Sequence, residues 1–364
     1  MDFNKIEDLD LLESWLKNHD AQISRAFAAR AALRSLPSAT SFAGKNSKNL
    51  NGDMLVLSLF RSVLVTGAAS YSDNGSSLVN AAQSAHKRVS GFSSLATSRA
   101  ASAVLSVFSE SPESAAVASV FSPNPRSLAT NLSDIQRSLN STSGQIFASP
   151  LWPSKPTSAP TNEWEEFTKL SKQHLKWLFW TDWYQGFLDG KPLDWELQRR
   201  VALIDDAIWD AGPEAVAKEI ERIRAKFELE KEVAALKEQL STQQQALARN
   251  PQIGDNGGPP LDGANAKAFK KDLVLVWSDL EELETELEMP EPSPSILKRI
   301  AQSLSETALR VAAYCGATMD VSVKSAAKAF GTTLGPIGAT EIAKPGSIDA
   351  VAKAIGKFLT ALAN

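Results

Sequence analysis

Six aromatic residues fall within the eleven positions from Trp177 to Phe187: Trp177, Phe179, Trp180, Trp183, Tyr184 and Phe187. Seven of the nine tryptophans lie between Trp152 and Trp209. So much aromatic area is costly to leave in water, so this stretch forms either the centre of a core or a contact surface. On a helical wheel Trp177, Trp180, Tyr184 and Leu188 share one stripe, with Phe187 beside it, while Phe179 and Trp183 point away. A helix apolar on two faces is central in a bundle or awaits a partner. Phe179 and Trp183 therefore decide the question: exposed, they are a partner site, and buried, they are core.

The rest of the chain reads as mainly α, with helical bundle domains joined by Pro/Gly-rich linkers. Leu9, Leu12, Leu16, Ile23 and Phe27 recur at helical steps with one longer gap, so a first helix is expected over about 8–36, closed by Pro37. Arg25, Arg30 and Arg34 lie in its second half, where they suit the negative end of the helix dipole. The apolar run from Met54 to Val65 is expected to be a buried helix. Residues 35–143 hold 27 serines and few aromatics, which predicts helices with small-residue faces and modest stability. Further helices are expected over about 163–187, from Trp195 after an Asp194 cap, and from Pro213 onward, where Gly212 stops one helix and Pro213 starts the next. Leu229, Val233, Leu236 and Leu240 continue this last helix at coiled-coil spacing for fewer than three heptads. One more charged helix is expected over about 267–288, and a short amphipathic one carries Ile348, Val351, Ile355, Leu359 and Leu362.

Proline and glycine set the expected boundaries. SPLWPSKPTSAPTN, residues 149–162, carries four prolines, and NPQIGDNGGPPLDG from Asn250 is rich in turn formers. The resulting division is a small-residue (Ser/Ala)-rich helical domain at 1–148, a Pro-rich linker at 149–162, and a Trp-rich domain at 163–249 ending in the coiled-coil-like helix. A Gly/Pro linker at 250–266 and a C-terminal helical region at 267–364 follow.

Composition excludes several classes. The net charge is −4, and residues 1–162 hold 14 basic against 11 acidic side chains, too thin an excess for a nucleic-acid footprint. The single cysteine, Cys315, permits no internal disulfide and fits a reducing compartment, as a small core residue. The acidic, polar start lacks the pattern of a signal peptide, so a cytoplasmic protein is expected. The motifs for phosphate loops, dinucleotide binding, serine hydrolases, zinc proteases and paired cysteines do not occur in the sequence. His19, His86 and His174 stand apart without a second ligand one turn away, and the 255–262 loop DNGGPPLD does not match a calcium loop. No metal and no cofactor is therefore expected.

Glu196, Asp205, Asp206 and Asp210 form the densest acidic group and the basis for a hydrolase reading. Arg199 and Arg200 lie within reach of them, so a solvated charged face is expected instead. The function expected is a non-enzymatic helical interaction or scaffold protein. It would self-associate, as a homo-oligomer, or bind a protein partner through Phe179, Trp183, Leu229, Val233, Leu236 and Leu240. The alternatives are a stress or defence effector whose C-terminal residues 344–364 touch membrane, and a hydrolase with an acidic site.

At Leu151–Pro153 (LWP), then WTDWYQGFLDGKPLDWELQ (residues 180–198) and IWDAGPEAVAKEI (residues 208–220), the chain resembles a group of uncharacterised bacterial proteins. In these a small-residue-rich N-terminal region precedes an LWP element and a WTDWY-type helix, with a GPE-type restart behind it. IGDNGGPP, residues 253–260, is similar to an IG-x-N-x-x-PP element of the same group. The resemblance covers residues 1–36 and 150–262, and the Ser-rich 35–143 stretch departs from the group's more Ala-rich pattern. It implies a bacterial cytoplasmic origin and carries over no activity, cofactor or site residue.

Overall fold

The computed structural model describes residues 9–40, 50–71, 75–92, 94–121, 125–152, 159–249, 264–314 and 345–363. Among them the chain forms sixteen α-helices, one 3-10 turn and no strand. Contacts divide it into two compact units, Met1–Ile220 and Glu221–Asn364. The break expected at 149–162 is therefore not a domain boundary, because helices before and after it share one core. Residues 153–158, residues 250–263 of the expected 250–266 linker with its DNGGPPLD element, and Cys315 lie outside the described residues, and the last three residues of that linker belong to a helix from Ala264.

The first unit contains α1 (Leu9–Leu16), α2 (Ala21–Thr40), α3 (Leu50–Tyr71), α4 (Ser76–Val89), α5 (Leu95–Leu105), α6 (Pro112–Val120), α7 (Pro125–Arg137), α8 (Ser143–Phe147) and α9 (Ala159–Ser171). A 3-10 turn (Leu175–Trp177), α10 (Leu178–Leu188), α11 (Trp195–Ala202), α12 (Asp206–Asp210) and the start of α13 (Pro213–Arg249) complete it. Three helices expected as single pieces are broken. The first breaks at Lys17–Asp20, where the His19 ring stacks on Trp15 at 3.8 Å and Asp20 accepts the Gln22 amide as a new cap. The second breaks at Lys172–His174, and the third at Leu203–Asp205, where the Asp205 carboxylate accepts the Ala207 amide at 2.8 Å. Pro37 does not end α2 but sits inside its last turn, where the missing amide removes only one bond.

Helix α2 is the axis of this unit, packed against α3, α5, α6, α8 and α9. Its alanines keep the side-chain layer thin, so five neighbours approach a single helix, and all but five of its twenty residues are buried. The serine-rich helices pack because their buried hydroxyls bond backward along their own helix. Ser62 donates to the Ser58 carbonyl, Thr66 to Ser62, Ser106 to Ala103 and Ser119 to Ala116, at 2.6–2.8 Å. A hydroxyl satisfied in this way behaves as a small core group, so serine content there does not mean a loose region. Helix α3 is the one described helix long and apolar enough to cross a membrane by length and composition, and most of it is buried inside the unit.

The second unit has one core, built from the later turns of α13, α14 (Ala264–Glu288), α15 (Pro294–Tyr314) and α16 (Pro345–Ala363). Leu229, Val233, Leu236 and Leu240 meet Leu280, Leu283, Leu287, Leu297 and Ile355 in it. Polar groups fix the antiparallel register of α14 on α15. Asp272 pairs with Arg310 at 3.1 Å, Asp279 accepts Ser303 at 2.6 Å, and Glu282 pairs with Arg299.

Phe60 of α3 sits at the centre of the first unit, stacked on Trp180 at 5.0 Å and edge-on to Phe167, Trp177 and Trp183. Phe60→Ala is expected to lower stability by about 3–5 kcal/mol in denaturant titration followed by tryptophan fluorescence. A loss below ~1 kcal/mol would show that this ring is not central to the packing.

Candidate functional site

Every aromatic side chain of the Trp-rich helix is covered by its own chain, and Asp182 and Gln185 form its exposed side. Phe179 is 3% and Trp183 0% exposed, so both belong to the core, which corrects their reading as a contact surface. A helix with aromatic residues on two faces is stable only when both faces are buried. Two buried indole N–H groups find partners inside the unit: Trp183 donates to Gln198 Oε1 at 2.8 Å, and Trp209 of α12 to the Ile204 carbonyl at 3.1 Å. Leu229, Val233, Leu236 and Leu240 are likewise buried in the second unit and offer no open seam. Ile348, Val351 and Ile355, the apolar face of the C-terminal helix, are buried too, and α16 packs on α15. That face is therefore not free to meet a membrane while this packing holds.

The most heavily bonded charged group is one that sequence spacing does not announce. Arg30 and Arg34, one turn apart on α2, converge on Asp134 of α7. Arg30 binds both Asp134 oxygens, at 2.8 and 3.0 Å, and donates to the carbonyls of Ile146, Ser149 and Pro150 at 2.9–3.0 Å. Arg34 pairs with Asp134 at 2.5 Å and holds the Leu151 carbonyl from Nε and Nη2. Leu151 in turn donates its amide to the Phe187 carbonyl at 2.9 Å, which ties this network to α10. Burial pushes the Arg34 guanidinium down to about 10 against the pull of Asp134, so it stays charged at neutral pH. Burial also pushes the Asp134 carboxyl up, but the two guanidinium groups outweigh it and hold it below the usual carboxylate range. Close by, the Tyr184 hydroxyl is buried with no hydrogen-bond partner, since neither the Trp152 indole nor the Arg34 guanidinium near it meets bonding geometry. Burial pushes that hydroxyl strongly up, so it stays protonated.

The four acidic candidates do not converge on a reacting centre. Glu196 binds Arg199 at 2.7 Å and Arg200 at 2.9 Å, and Asp205 caps α12. Asp210 pairs with Arg88 of α4, and Asp206 pairs with Arg61 of α3 while accepting Ser84 at 2.6 Å. Arg61 lies fully buried in an apolar helix with its guanidinium 4.8 Å over the Trp209 ring, and its Nε and Nη1 have no hydrogen-bond acceptor. The π face takes part of the charge that no oxygen meets. Among the described residues no group of three His, Cys, Asp or Glu is placed to hold a metal ion. The imidazole of His86 is turned by the Ala101 carbonyl, 3.1 Å from Nδ1, and lies 5.6 Å from Phe108.

Comparison with protein-family models, with curated proteins and with solved structures finds no match. The arrangement itself must carry any functional reading. Its open features are apolar side chains at the surface, among them Phe92, Leu95 and Phe121 of the first unit and Val274 and Leu309 of the second. Sequence spacing missed Arg99 as well as the Arg30–Asp134 network. The one signal available is an arginine set among alanines where a surface charge is out of place.

Asp134→Asn leaves two buried cations without a counter-charge, and a loss of about 3–5 kcal/mol is expected in the first unit. Because its folded pKa is lowered, the carboxylate's contribution is fully present above the unfolded value of about 3.9 and is lost as pH falls through the lower folded value. Eight of the nine tryptophans lie in this unit, so acid titration of their fluorescence reads the loss directly. The Asn variant is expected to lose that acid limb. In the second unit, burial holds the Asp279 carboxyl above its ordinary range against the Ser303 hydrogen bond. Its ionisation therefore costs stability as pH rises. Asp279→Asn is expected to slow hydrogen exchange of α14 amides at neutral pH, with the difference closing below the ordinary carboxylate pKa.

Proposed function

We propose that this protein is a non-enzymatic helical interaction protein of the bacterial cytoplasm, acting by binding a protein partner. One observation supports this above the others: each carboxylate of the acidic group is engaged in a structural ion pair or helix cap. A general acid–base pair needs two groups facing a common reacting atom, and these four face arginines, a serine and a helix end instead. The paired aspartates act as mortar between α12 and helices α3 and α4.

Self-association through the Leu229–Leu240 seam is the weaker form of the reading, because that seam is filled by the same chain's α14, α15 and α16. Partner binding through the outer faces needs no opening of either core. Single exposed apolar residues are ordinary on any surface, so only a place where several gather beside an unmet polar group argues for a contact.

Glu196→Gln and Asp210→Asn, both at exposed carboxylates, separate this reading from hydrolysis. Affinity purification of the full chain from its native cell is expected to yield a stoichiometric protein partner whose recovery neither substitution changes. Hydrolysis of ester or phosphate substrates by the wild type, lost in these variants with their fold intact, would overturn the proposal.

A further inference from the structure

We draw no further inference here: the strongest candidate, the Arg61 guanidinium buried between α3 and α12 with Nε and Nη1 unmet beside the Trp209 ring, is already paired with Asp206 in the acidic group described above, and nothing among the described residues shows a cavity or opening through which a ligand could reach those two donors.

Discussion

The first unit depends on an ion pair buried where no water can replace it. Arg30 and Arg34 meet Asp134 across a hundred or more residues of sequence and spend remaining donors on the carbonyls of Ile146, Ser149, Pro150 and Leu151. Burying such charges is not itself a source of stability, since desolvation offsets most of the Coulomb gain. Its effect is on geometry. With both cations fixed on α2, the segment from Ser149 to Leu151 has one place to lie, and the Leu151 amide then fixes Phe187 and α10. Gly190 follows from the same approach. It adopts φ +67°, and a Cβ there would stand 2.7 Å from the Ala148 carbonyl oxygen and 2.8 Å from Pro150 N. Only glycine admits both the backbone angle and the contact.

The aromatic helix and this polar network are parts of one construction. Phe60, Trp177, Trp180 and Trp183 supply the apolar area, and the arginines bring α7, α8 and the Ser149–Leu151 segment up against α2. Dense aromatic packing here serves position and dryness. Any functional surface then has to be sought outside that core.

Much of the architecture was legible in the sequence. The periods of Leu9–Leu16, of Met54–Val65 and of Leu229–Leu240 gave helices because one apolar face per helix is a local property. The Asp194 cap and the Gly212–Pro213 restart were legible for the same reason, and Gly212 does adopt a positive φ, at 99°. Breaks at Lys17–Asp20, Lys172–His174 and Leu203–Asp205 were not, since the competing caps are single hydrogen bonds that do not disturb the apolar period. Proline density at 149–162 looked like a linker, yet Leu151 is fully buried, because the distant Arg34 and the Phe187 carbonyl satisfy its backbone. The pairing of Arg30 with Asp134 has no local signature at all. The candidate contact residues failed in an instructive way: aromatic density marks high burial energy, and it cannot tell whether the covering partner is another molecule or the same chain.

Native-state hydrogen exchange at the Leu151 amide tests the central claim most directly. If the Arg30–Arg34–Asp134 network fixes the joint between α2 and α10, this amide exchanges only through global unfolding of the first unit, with the same free energy and denaturant dependence as the core amides of α2 and α10. Exchange of Leu151 through a smaller opening, while those helices stay protected, would contradict it.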